Sequence, residues 1–264
     1  MTELEESNRQ FIDAWTMYAR RAELGAIADL GGVAVAFSRV TMPLMNMMFL
    51  SSPVEDTADL RKRVDAAVAY GHGAGFPWMI TICNDWLPDE TRAQANELFG
   101  GVGLMPASLA TGMVAAALSP PRRPAPGLDI RRVVGTDGRL ALADLNTAAY
   151  GMPPEWGHEA LDREAIFAAD VWAYVGHQGG VPVATSTTAL IDGRLYVMMV
   201  ATAADHRHQG YGEAVMRRSL DEAAKATGVA RTVLHASEMG APVYASMGYR
   251  SVAGFTMYAS GHGH

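Results

Sequence analysis

The chain has 264 residues, of which 49% are hydrophobic and 19% charged, with a formal net charge of −7 and no basic block. That length suits one large domain or two small ones and leaves ample material for a core. The acidic balance excludes a dedicated nucleic-acid binder, whose affinity rests on clustered Lys and Arg.

Within residues 1–40 an amphipathic helix carries Phe11, Trp15 and Tyr18, and a Gly31–Gly32 turn precedes a strand at Val33–Phe37. Met45–Val54 reads as an apolar strand. Asp59–Tyr70 reads as a helix, with Leu60, Val64 and Val68 opposite Arg61, Lys62, Arg63 and Asp65. Gly71–Pro77 ends it, and a strand follows at Trp78–Cys83. Cys83 is the single cysteine, which rules out an intrachain disulfide; Ile80 and Ile82 beside it suit a buried thiol. Glu90–Phe99 reads as a helix and Ser108–Leu118 as a strand. The most apolar stretch, around Ala107–Leu118, is too short to span a bilayer, and the start MTELEESNRQ is unlike a signal peptide. A cytoplasmic protein with no membrane or nucleic-acid partner is expected.

Four prolines in Ser119–Gly127 break both helix and strand. The expected domains are therefore 1–118 and 128–264, joined by a linker at 119–127. Beyond it, Asp129–Val134 reads as a strand and Asp137–Ala149 as a helix; Met152–Pro154 breaks it, and His158–Ala169 reads as a second helix. Val171–Gly176 and Val181–Thr188 form a hairpin about His177–Gly180. Leu195–Thr202 is a nearly continuous apolar run, as in a strand buried on both faces. Gly212–Ala226 is an amphipathic helix: Val215, Met216, Ser219, Leu220 and Ala223 lie opposite Arg217, Arg218, Asp221, Glu222 and Lys225. Strand Arg231–Ser237, short helix Ala241–Met247 and strand Ser251–Ala259 complete the chain. Strand–helix–strand–helix–strand thus occurs twice. Leu98-Phe99-Gly-Gly-Val-Gly103-Leu104 parallels Val243-Tyr244-Ala-Ser-Met-Gly248-Tyr249, which indicates an internal duplication with a diverged first copy.

The segment that carries chemistry is Val200 to Glu213. A strand runs into a turn with Gly210 and Gly212, and the turn opens a helix. Glycines let backbone approach a ligand, and the first N–H groups of a helix have no intrahelical partner. With the positive end of the macrodipole and the Arg207 and His208 side chains, this is a site for a pyrophosphate. The Gly-x-Gly-x-x-Gly fingerprint is incomplete, since Val215 stands at its third glycine, and no Gly-Lys-Ser/Thr loop exists.

Downstream come Thr232–Ser237 and Gly240-Ala-Pro-Val-Tyr244-Ala-Ser-Met-Gly248-Tyr249-Arg250. Across residues 128–264 the order and spacing of these pieces resemble the GNAT superfamily of acetyl-CoA-dependent N-acetyltransferases. The resemblance implies an α/β fold of tandem GNAT-like modules, each a mixed central sheet flanked by helices, with the first copy degenerate. It implies that Val200, Ala201 and Thr202 offer backbone groups to the pantetheine arm of acetyl-CoA, and that Arg207, His208, Gln209, Gly210, Tyr211 and Gly212 hold the pyrophosphate. Ser237 stands where many members have an Asn that bonds the pantetheine. Tyr244 stands where the family has a tyrosine that protonates the departing thiolate, a task within reach of a phenol. Tyr150 and Trp156 fall in the segment that closes the acceptor side. His235 shares strand parity with Ser237, but no general base is assigned.

The expected reaction moves an acetyl group from CoA to a primary amine of a small molecule by direct attack. No metal takes part, and no acyl-enzyme forms, because Cys83 lies in the first half and no Ser–His pair is evident. A non-catalytic acyl-CoA sensor and a protein acetyltransferase are the alternatives. The terminal Gly261-His-Gly-His264 reads as a tail.

Overall fold

The computed structural model describes residues 1–260. The first half runs α1 (Glu3–Arg21), β1 (Ala26–Asp29), β2 (Val33–Phe37), β3 (Asn46–Leu50), α2 (Thr57–Ala74), β4 (Met79–Cys83), α3 (Asp89–Gly101) and β5 (Leu104–Ala115). The second runs β6 (Asp129–Arg132), α4 (Gly135–Ala149), α5 (Pro154–Leu161), β7 (Val171–Gln178), β8 (Val181–Ile191) and β9 (Arg194–Thr202), then α6 (Tyr211–Thr227), β10 (Thr232–Ala236), α7 (Ala241–Ser246) and β11 (Arg250–Ser260). Both halves contain helices and mixed strands, so the α/β class is as expected. The chain divides into two compact units that interleave along the sequence. One holds Met1–Met113, Ala236–Ala241 and the segment from Ser251; the other holds Val114–His235 and Pro242–Arg250. A cut at 119–127 does not reproduce that division, because the last strand pairs with β4 of the first unit.

In the first unit, Thr2 and Glu5 form a reciprocal capping box that starts α1. Phe11, Trp15 and Tyr18 are buried along one face, and Phe11 packs edge-on against Phe49 and Phe255 at 5.2 and 5.4 Å. β1, β2 and β3 are antiparallel, β3 and β4 parallel, and β4 and β11 antiparallel with Thr256 opposite Ile82. Three elements differ most from expectation. β3 stops at Leu50 rather than Val54, since Arg63 ties down the carbonyls of Ser52 and Pro53 as a loop. α2 continues through Gly71, where a Cβ would sit 2.2 Å from the Trp78 indole; glycine here admits the ring, and the helix ends at Gly75 with φ 74°. β5 spans 104–115 instead of 108–118, starting directly after the left-handed Gly103. Cys83 is fully buried, as expected, and desolvation pushes its thiol up to about 12.

In the second unit β6 to β9 form an antiparallel meander, and β10 joins β9 in parallel. β8 and β9 are linked by Asp192–Gly193, both at positive φ, the backbone of a tight hairpin that sequence reading left unassigned. β8 is covered on both faces. Thr185 meets Asn146 of α4 on one, and Ser186 and Thr188 meet Ser219 of α6 on the other. The expected helix at 158–169 is α5 at Pro154–Leu161, followed by a 3-10 turn at Glu164–Phe167. Pro154 occupies the first turn, where its missing N–H costs nothing, so the proline pair starts a helix as well as ending one. Gly157 lets α5 sit close on α4, since a Cβ there would be 2.6 Å from Thr147 Cγ2. Residues 119–127 form neither helix nor strand, and the Ser119 N–H bonds the Met247 carbonyl at 2.8 Å.

Candidate functional site

The site is built on the second unit, where β9 gives way to α6. β9 is irregular just before its end. Thr187 pairs with Met198 and Thr185 with Ala201, so Ser186 alone faces both Met199 and Val200. Met199 takes φ 52°, uncommon for a residue with a side chain. This bulge bends β9 and re-aims Val200, Ala201 and Thr202. Its carbonyl is held from behind by the buried Thr185 hydroxyl at 2.8 Å, which in turn accepts from the Asn146 amide at 3.1 Å.

Beyond Thr202 a 3-10 turn at Ala204–His206 leads to Arg207, whose Nε donates to the Thr202 carbonyl at 3.4 Å and folds the turn back on the strand. Among the described residues no carboxylate pairs with Arg207, so its remaining donors are available to an anion. His208 and Gly210 both adopt left-handed backbone, with φ 63° and 79°. His208, Gln209 and Gly210 are exposed, whereas the Tyr211 side chain is buried, so that residue contributes its backbone and anchors the helix start. Gly210 caps α6 without a side chain, which leaves the first-turn N–H groups uncapped. A Cβ on Gly212 would lie 2.9 Å from the Thr202 hydroxyl, so the crowded glycine is Gly212, while Gly210 is required by its φ. Left-handed glycine, an uncapped helix start and an unpaired guanidinium fit a pyrophosphate.

Tyr244 lies half-buried on α7 in the same unit, its ring edge-on to Tyr249 at 6.1 Å. Tyr249 is fixed from behind by a 2.8 Å hydrogen bond to Thr232. Burial, with a smaller contribution from nearby Tyr150, holds the Tyr244 phenol well above the ordinary range, so it stays protonated at neutral pH. Tyr150 is 60% exposed, in the turn that closes α4, and Trp156 is half-buried on α5. Tyr150 is near enough to influence Tyr244 electrostatically; no ring contact joins Trp156 to either among the described residues.

Two residues weighed from sequence stand differently. Burial pushes His235 down to about 3, and its Nδ1 shares a 2.9 Å hydrogen bond with the Tyr196 hydroxyl. Desolvation makes the ring a weak base, poorly matched to an amine's proton, and no general base is assigned. Ser237 groups with the first unit, and its hydroxyl accepts from the Gly240 N–H at 3.3 Å, a local cap ahead of α7. The bulge and its props, Asn146 and Thr185, were missed. The signal was the run Thr185-Ser-Thr-Thr188, four hydroxyls in a strand that must be buried and therefore need partners. Gly261–His264 lie outside the described residues, among which no cluster of three or more metal-ligating side chains occurs and no helix is long and apolar enough to cross a membrane.

Residues 167–251 match the family model described as an acetyltransferase (GNAT) domain. No curated protein matches the chain in sequence. Among solved structures, a GCN5-related N-acetyltransferase from Kribbella flavida is 18% identical over 97% of this chain and 96% of its own, with a TM-score of 0.70. A GCN5-related N-acetyltransferase from Sphaerobacter thermophilus is 14% identical over 86% and 76%, with a TM-score of 0.55. A tandem GNAT protein from the clavulanic acid biosynthesis pathway is 11% identical over 98% and 96%, with a TM-score of 0.51. At these identities the matches show a shared fold, and the last of them, over 98% of this chain, is with a tandem GNAT protein.

Proposed function

We propose that this chain, whose residues 167–251 match the acetyltransferase (GNAT) domain model, uses its second unit to transfer an acetyl group from acetyl-CoA to the primary amine of a small molecule. The observation that carries this is the conjunction, within one unit, of the uncapped α6 turn, the β9 bulge and the protonated Tyr244.

Acetyl-CoA would supply the activated acyl carbon. Backbone amides of the turn, with Arg207, would hold its pyrophosphate, and the backbone of Val200–Thr202, beyond the 195–197 stretch that pairs with β10, would align the pantetheine arm. The amine nitrogen bonds to the acyl carbon while the carbon–sulfur bond breaks; the sulfur leaves with the electron pair, and the amine gives up a proton. Tyr244 presents an O–H with no protein partner among the described residues. Its elevated pKa makes full proton transfer to a thiolate uphill, so its contribution is a hydrogen bond that strengthens as charge grows on sulfur. The amine proton is released to solvent, with no protein base assigned.

Incubating the protein with acetyl-CoA and a panel of small primary amines, and following thiol release together with product mass, tests this. Thiol release that depends on the amine and yields a product heavier by one acetyl group is expected. Acetyl-CoA binding with no transfer to any amine would instead favour a sensor.

A further inference from the structure

We propose that Asn146 and Thr185 are positioning residues: through the Met199 carbonyl they hold the β9 bulge in the shape that acyl transfer requires. The inference rests on the acyl-transfer reading above.

The bulge needs something to hold it. Two residues of β9 face one of β8, the ladder is interrupted, and Met199 sits at φ 52° without the freedom of glycine. The Thr185 hydroxyl donates to the Met199 carbonyl at 2.8 Å, in place of a ladder N–H. That hydroxyl could rotate elsewhere, but Asn146 fixes it. The Asn146 amide nitrogen donates to the Leu142 carbonyl at 2.9 Å and to Thr185 Oγ1 at 3.1 Å. A carbonyl only accepts, so the amide cannot be flipped, and the Thr185 proton is left pointing at Met199. The chain therefore has one polarity, from α4 through β8 to β9, and its members reinforce one another in a dry interior. Asn146 and Thr185 are 4% and 0% exposed.

Stability does not explain this arrangement. Among the described residues the Asn146 Oδ1 is buried with no partner, as is the Thr187 hydroxyl two residues along the same face of β8. Burying an amide with one end unsatisfied is less favourable than filling the same space with leucine. What the chain accomplishes is geometric. It fixes the carbonyl immediately before Val200, the first of the residues whose backbone would align the thioester. A tilt of that peptide moves the acyl carbon relative to the amine and to Tyr244 without disturbing the pyrophosphate turn.

The test uses Thr185→Val, which keeps the shape and removes the donor, Thr185→Ser, which restores it, and Asn146→Leu as a second route should Thr185→Val fold poorly. For Thr185→Val and Asn146→Leu, kcat is expected to fall by about ten- to a hundredfold. The Kd for acetyl-CoA should stay within about threefold of the parent, and Thr185→Ser should recover kcat to within about threefold. Amide hydrogen exchange across 198–202, measured without substrate, should quicken in the two loss variants and not in Thr185→Ser. Parental turnover per folded molecule in both loss variants, exchange that does not change, or a fall in kcat matched by an equal loss of acetyl-CoA affinity would overturn the proposal. A parent that transfers to no amine would sink the acyl-transfer reading on its own, and the exchange measurement would still decide whether this chain of hydrogen bonds shapes the bulge.

Discussion

Tyr244 and Gly210 carry the residue-scale account, for opposite reasons: one acts through a polar atom and the other through the lack of a side chain. On the proposed reading the Tyr244 hydroxyl bonds the sulfur only as charge develops, so Tyr244→Phe should lower kcat by about 10²–10³-fold with little change in acetyl-CoA affinity, read by steady-state kinetics beside calorimetry. Because burial raises its pKa, the protonated form persists as pH rises. The chemistry-limited rate should therefore climb as the amine loses its proton and then level, with no falling limb below about pH 10, the ordinary phenol value. A falling limb at lower pH that vanishes in Tyr244→Phe would contradict this. Gly210 stands at φ 79° in open space, so a substitution there strains the backbone without striking a neighbour. Gly210→Val should weaken acetyl-CoA binding by about 1–3 kcal/mol, through strain and misdirected amides. Equal affinity in calorimetric titration would remove the turn from the account.

Two strand-to-helix turns, β3 to α2 and β9 to α6, have opposite chemistry. α6 starts at an uncapped glycine; α2 starts at Asp56, whose carboxylate accepts from the Asp59 N–H at 2.8 Å. Arg63 closes the rest of that loop, pairing with Asp59 and donating to Ser52 and Pro53. That turn is satisfied internally, and its carboxylates would repel a phosphate. Phe99, in the place that parallels Tyr244, is fully buried and stacked on Tyr258 at 4.0 Å with no proton to offer. These contrasts were legible in the sequence because each depends on residue type at a fixed place: Gly210 against Asp56, Tyr244 against Phe99. The α6 stripe and the Phe11–Trp15–Tyr18 face were legible too, since burial repeats with the helix. What was not legible depends on partners distant in the chain. The Met199 bulge exists because Thr185 and Asn146 reach it, and no spacing within β9 announces that. α5 was displaced because proline both ends and begins helices. His235 was left open because parity shows which face a side chain takes, and not how dry that face is.

The whole molecule is more entangled than two modules in series. β11 closes the chain yet pairs with β4, and its Phe255 and Tyr258 are buried in the first unit's core, where Tyr258 also donates to Asn96 at 2.7 Å. Severing the chain at 119–127 should therefore leave both pieces unable to fold cooperatively by themselves, as judged by circular dichroism melting. A fragment of 128–264 with a sharp independent melt would contradict that. Within the intact chain, Phe255→Ala should cost about 3–5 kcal/mol in denaturant unfolding, as for a large aromatic removed from a close-packed core.

The chain is expected to hold one acyl-CoA, at the α6 turn of its second unit, with a structural first unit. Titration calorimetry of the full chain with a non-hydrolysable acetyl-CoA analogue tests it most directly. Saturation at about one equivalent, lost or strongly weakened in Gly210→Val, is the predicted result, since the α6 start is uncapped whereas the matching α2 start is capped by the Asp56 carboxylate. No binding, or two equivalents of comparable affinity, would contradict it.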